Sequence, residues 1–255
     1  MILDEIIKNK REEVKGVRDK QKQPLDLEKL PKVRDFAAAL QKPGIKLIAE
    51  VKAKSPSAGV IVKDFDPVKI ARAYEKSGVS AISVLTDNKY FGGSIEALKK
   101  VKASVKLPVL RKDFIIDESQ IYESRIAGAD AVLLIVRILR YDELERFIKI
   151  INDLGMTALV EVHSADEAKK AIDAGANVIG INNRDLDTLK VDLNTTSEII
   201  KSVPELKEKN LVSESGIKNK DDVKILKNAG VKAILAGEAI LKAKNIEAKI
   251  NELFS

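Results

Sequence analysis

A chain of 255 residues, 45% hydrophobic and 33% charged, with no Pro, Gly or Ser tract to mark a linker, is long enough for one large α/β barrel and shows no boundary for a second unit. The absence of cysteine and the single histidine exclude disulfides, thiolate chemistry and any multi-histidine zinc site, so catalysis falls to Lys, Glu, Asp, Ser or Asn. The net charge of +6 is spread over amphipathic stretches such as LERFIKI and DDVKILK, which reads as a solvated surface and not as a nucleic-acid face.

The N-terminus, MILDEIIKNKREE, is too charged for a signal-peptide core, and the longest wholly apolar run, Ala131 to Val136, is far short of a membrane span. A cytoplasmic chain with no membrane partner is therefore expected. Residues 1–44 form a helical extension before the first strand: Ile2, Leu3, Ile6, Ile7 and Val14 recur at helical spacing, and a second helical pattern runs from about Leu25 to Leu40. The extension is expected to lie as a lid over one end of the fold. Strands are then expected at 46–51, 79–85, 107–111, 130–136, 157–162, 177–182, 210–214 and 232–236. Amphipathic stretches such as DPVKIARAYEKSG, SIEALKKVKAS and YDELERFIKIINDLG separate them, several opening on an Asp, Ser or Asn cap.

Gly78, Gly128, Gly155, Gly175 and Gly230 each end a helical run and lead into a short apolar strand. Glycine supplies the left-handed cap, and a strand so evenly apolar is covered on both faces. Repeated over the chain, this predicts an α/β fold: a single (β/α)8 TIM barrel spanning residues 1–255, with the N-terminal helical extension.

In such a barrel the C-terminal strand ends face the active site. They carry Glu50 and Lys52, Lys112 and Asp113, Glu161, Asn182 and Arg184, and Glu214 and Ser215. Lysines converging with carboxylates in one mouth tune each other for proton transfer, so Lys112, Glu161, Lys52, Glu50, Asn182 and Ser215 are the candidate catalytic set. Asp113, one residue out of phase with Lys112, should point away and act structurally, and His163 is assigned to helix entry or a supporting position. The last two loops, SESGIKN and LAGEAILKAKN, hold glycine turns where this fold binds phosphate. Gly216 and Gly237 are the candidate backbone cradle, Ser215 a hydroxyl donor, Glu214 and Glu238 neighbours of the cradle, with Lys54 and Ser57 reaching across from the first loop.

Five segments taken in order, AEVKAKSPSAG, LRKDFIIDESQI, LVEVHS, GINNRDL and SESGI, resemble the indole-3-glycerol phosphate synthase family over essentially the whole chain. The resemblance implies a lyase of tryptophan biosynthesis acting on a small phosphorylated and carboxylated substrate, with no cofactor and no metal; no nucleic-acid partner is expected from the charge pattern, and a monomer is expected. It implies Lys112 as general acid of ring closure, Glu161 and Lys52 in the later proton transfers, Glu50 and Asn182 orienting substrate, and Lys52 or Arg184 meeting the anthranilate carboxylate. Phe91, Phe114, Leu133 and Leu186 are the expected wall for the aromatic ring. Ala239 stands where the family often has Ser, which removes one phosphate hydroxyl but not the backbone site. Two alternatives stay open: a Schiff-base aldolase using Lys112 or Lys52, and an engineered or diverged barrel that binds phosphate without turnover.

Overall fold

The structure, a computed structural model, describes residues 2–20 and 25–254. Eight parallel strands form its centre: β1 Lys46–Val51, β2 Ala81–Leu85, β3 Val109–Lys112, β4 Ala131–Ile135, β5 Thr157–Val162, β6 Val178–Asn182, β7 Asn210–Glu214 and β8 Ala233–Ala236. They pair in chain order and close, with β8 returning to β1 in the register Lys46↔Ala233 to Ala49↔Ala236. The expected barrel is therefore formed, and β1, β5 and β7 have the expected limits. The other strands begin one or two residues later than expected. The residue after the capping glycine still belongs to the preceding helix: Ala129 N–H donates to Ser124 O at 2.9 Å and Ala176 N–H to Ala171 O at 3.0 Å, closing left-handed caps whose glycines, Gly128 and Gly175, both have φ 86°.

Two helices precede the barrel, α1 Ile2–Lys20 and α2 Phe36–Gln41. Seven more follow β1 to β7 in turn: α3 Pro67–Lys76, α4 Ile95–Ser104, α5 Glu118–Ala127, α6 Tyr141–Asp153, α7 Ala165–Asp173, α8 Asn194–Ser202 and α9 Lys220–Asn228. The short α10 Glu238–Leu241 and then α11 Ile246–Phe254 follow β8. The starts are fixed chemically: Asp66, Ser94, Ser164 and Asn219 each accept backbone N–H groups of the first turn of α3, α4, α7 and α9.

Strand alternation divides the core in two. Outward residues such as Ala49, Val84, Val160 and Ile179 pack against the helices, while inward ones such as Ile48, Ala81, Leu110, Leu159 and Val212 fill the barrel. The same period carries Glu50, Lys112, Glu161 and Glu214 inward above Ile48, Leu110, Leu159 and Val212.

The extension departs from the expected single lid: it covers both ends. Phe36 and Leu40 of α2 are fully buried with Ile48, Ala81, Val178 and Ala233, plugging the end away from the charged layer. α1 lies over the opposite end. Its apolar stripe contains a charge, Lys10, which is 3% exposed and sits 3.0 Å from Asp87 and 2.9 Å from Asp113. The helix expected from Leu25 to Leu40 is broken, with a 3-10 turn at Leu27–Lys29, an extended Leu30 ahead of Pro31, and α2 only after the Asp35 cap. Proline disfavours helical geometry in the residue before it, which explains the break.

Candidate active site

The inward-facing charged layer floors a cavity of about 830 Å3 at the C-terminal ends of the strands. At its centre the Lys112 Nζ lies 3.2 Å from Glu161 Oε2 and 3.4 Å from Glu214 Oε2. Glu161 is held from its other oxygen, which accepts from Asn182 Nδ2 at 3.1 Å and faces His163 Nε2 at 3.3 Å. Lys52 pairs with Glu50 at the rim of the same layer.

The charges set each other's protonation. Burial works against the Lys112 ammonium, but Glu161, Glu214 and Glu50 outweigh it and raise its pKa. Burial also works against the Glu161 carboxylate, but Lys112 and His163 hold it ionised, well below the usual carboxylate range. Glu214 goes the other way: burial, reinforced by the charges on Glu161 and Glu50, pushes it up to about 8 despite Lys112. One ammonium, one carboxylate and one neutral carboxyl thus stand together, an arrangement suited to acid–base work.

Space for this set is made by residues that chemical type alone did not single out. Gly180, inward on β6, lies against Glu214 Oε1 so closely that any Cβ would collide with the carboxylate. A glycine in the apolar run VIGIN was the available signal. His163 is placed as expected, with its N–H donating to Glu167 Oε2 at 2.7 Å at the start of α7 while its ring faces Glu161. Burial notwithstanding, the two glutamates raise its pKa to about 9. Asp113 faces away from Lys112 and is held near 2, burial being overcome by Arg111 and Lys10.

One wall of the cavity is apolar. Phe91, Phe114, Leu133 and Leu186 all line it, with the two phenyl rings 6.1 Å apart, joined by Ile2, Leu3 and Ile6 of α1, which were not among the expected wall residues. Polar and glycine residues line the cavity as well: Ser57, Arg184, Ser215, Gly216, Gly237 and Glu238. Ser215 and Gly216 both have positive φ, 67° and 85°. Gly237 has an unstrained φ of −141° and is needed for space, because a Cβ there would lie 2.7 Å from Glu50 Oε2 and 2.8 Å from Glu50 Cβ. Glu238 pairs with Lys242 at 2.6 Å. Lys54 is a correction: it does not line the cavity, because it starts the two-residue strand Lys54–Ser55, paired with Gly59–Val60, and its Nζ donates to Lys89 O at 2.8 Å.

A cavity with an acid–base floor, an apolar wall and a glycine-rich rim is found in a chain whose residues 3–253 match the family model for indole-3-glycerol phosphate synthase. The chain belongs to that family. Among its relatives, the indole-3-glycerol phosphate synthase of Acetivibrio thermocellus is 48% identical over 99% of this chain and 98% of its own length. That of Aquifex aeolicus is 50% identical over 86% of this chain and 85% of its own. Solved structures extend the likeness of fold further. Thiamine phosphate pyrophosphorylase from Pyrococcus furiosus has a TM-score of 0.61 at 20% identity, covering 82% of this chain and 94% of that one. No helix among the described residues is long and apolar enough to cross a membrane.

Proposed function

We propose that this cavity converts 1-(2-carboxyphenylamino)-1-deoxyribulose 5-phosphate to indole-3-glycerol phosphate, CO2 and water by acid–base catalysis centred on Lys112. The observation that carries the reading is the Lys112 ammonium held between Glu161 and Glu214 on the cavity floor. The anthranilate ring lies against Phe91, Phe114, Leu133 and Leu186, its carboxylate meets Lys52 or Arg184, and the phosphate sits at Ser215, Gly216 and Gly237 with Ser57 across from them. Glu50 and Asn182 orient the chain of hydroxyls between these ends.

The ring carbon bearing the carboxylate attacks the ketone while Lys112 protonates the ketone oxygen. Loss of CO2 leaves the bonding pair in the ring, and the new hydroxyl departs as water with a proton from Lys52 while Glu161 accepts the proton released as the indole double bond forms. Expelling CO2 from a carboxylate means that each turnover takes up one proton from solvent. Glu214, neutral up to about pH 8, is placed to return a proton to Lys112.

The aldolase alternative needs a neutral lysine, and the Glu161 and Glu50 carboxylates near Lys112 favour the ammonium. The test is a fluorescence assay for the indole product together with intact mass after borohydride treatment under turnover. Product with an unmodified mass supports the proposal; an adduct on Lys112 overturns it in favour of the aldolase, and substrate binding without product favours the diverged barrel. We further propose that the chain works as a monomer in the cytoplasm.

A further inference from the structure

Asn183 follows Asn182, but strand alternation turns its side chain to the other face, away from the cavity, where it is 2% exposed. The two hydrogens of its Nδ2 are shared among Ser213 Oγ at 2.9 Å, Glu214 O at 3.0 Å and Ser215 O at 3.1 Å. Its Oδ1 accepts from Thr196 N–H at 3.2 Å and Thr196 Oγ at 2.7 Å. Only a side chain with a donor end and an acceptor end fits that set, because the backbone carbonyls cannot donate and the Thr196 N–H cannot accept.

A trans peptide points its carbonyl and the following N–H in opposite directions, and no cis bond occurs among the described residues. Asn183 draws the Glu214 and Ser215 carbonyls toward β6, with its own backbone N–H adding a 2.9 Å bond to Glu214 O. The N–H groups of Ser215 and Gly216 therefore face β8, where Gly237 and the start of α10 lie. Both residues hold left-handed φ values, which for Ser215 is a conformation side chains rarely adopt without outside support.

We propose that Asn183 is the positioning residue of the phosphate cradle: by holding two carbonyls it aims the Ser215 and Gly216 N–H groups at the substrate phosphate. This rests on the proposed phosphate position. An aspartate at 183 has nearly the same volume, but its side chain can donate to neither carbonyl, so it releases the Ser215 carbonyl and leaves Glu214 O held from residue 183 by the backbone N–H alone.

The experiment measures steady-state kinetics of the full chain and its Asn183→Asp variant on the phosphorylated substrate and on its dephosphorylated counterpart, with inorganic phosphate as inhibitor. The expected result is a rise of about tenfold in KM for the phosphorylated substrate and in the phosphate inhibition constant, with kcat within about threefold and no change in kcat/KM on the dephosphorylated compound. Thr196→Val, which removes one donor to Oδ1, shifts KM in the same direction by less, and serves if Asn183→Asp does not fold. An equal loss on both substrates would mean a general structural role and overturns the proposal. A phosphate-sensitive wild type with unchanged variants overturns the role of Asn183 alone. A wild type indifferent to phosphate on either test overturns the cradle itself.

Discussion

Glu214 owes its unusual protonation to burial beside Glu161 and Glu50, in a space that Gly180 leaves open. Gly180→Ala should displace the carboxylate and lower kcat by about 10²-fold with the fold retained, read by kinetics alongside a thermal melt. Because Glu214 keeps its proton to about pH 8, kcat/KM should fall above that pH, and Glu214→Gln should abolish this limb. The stability consequence has the same origin: the unfolded chain releases this proton above 4.5 and the folded chain holds it to about 8, so stability from this group is lost as pH rises through that window. Glu214→Gln should therefore melt higher than wild type at pH 8. At Gly237 an added side chain meets Glu50 as well as the phosphate position, so Gly237→Asp should raise KM strongly and lower kcat too; an unaltered KM would move the phosphate site elsewhere. Most of the charged layer was legible from strand ends, since chemical type and period-two alternation suffice to find Glu50, Lys112 and Glu161, whereas Glu214, expected as a substrate-binding residue by the phosphate cradle, stands 3.4 Å from Lys112 on the cavity floor. The roles of Gly180 and Asn183 were not, because they depend on which strands are neighbours, and Lys54 was misplaced because a short hairpin turns it from the cavity.

At the level of elements, α1 and α2 serve opposite ends of the barrel. Phe36 is fully buried among the inward residues of the barrel and does not line the cavity. Phe36→Ala should cost about 3–5 kcal/mol in denaturant unfolding while kcat of the folded enzyme stays near wild type. Lys10 has the contrary signature, since it joins α1 to Asp87 and to Asp113, the neighbour of Lys112. Removing its charge in Lys10→Met takes the cation from buried Asp87 and leaves Asp113 to Arg111, and should cost about 3 kcal/mol of stability as well as raising KM, as Ile2, Leu3 and Ile6 loosen over the aromatic wall. The extension was legible as helical from its spacing, and its division was not. A lysine within the apolar stripe of α1 was the clue to a buried partner, and Pro31 was the clue to the break before α2.

For the whole molecule, the glycine-capped repeat made the barrel legible because each strand must be covered on both faces and only closure satisfies eight of them without an edge. The fold in turn explains how one cavity handles two chemically unlike substrate ends. Apolar residues from β4, α1 and the loops after β2, β3 and β6 line it together with the glycine turns after β7 and β8, above a floor of lysine and carboxylates. The most direct test of this account is the kcat and KM of wild type and Lys112→Ala in the indole fluorescence assay. A general acid acts mainly in the transition state, so the account predicts a fall in kcat of about 10²–10⁴-fold with KM changed only a few-fold. An unchanged kcat, or a loss confined to KM, would contradict it.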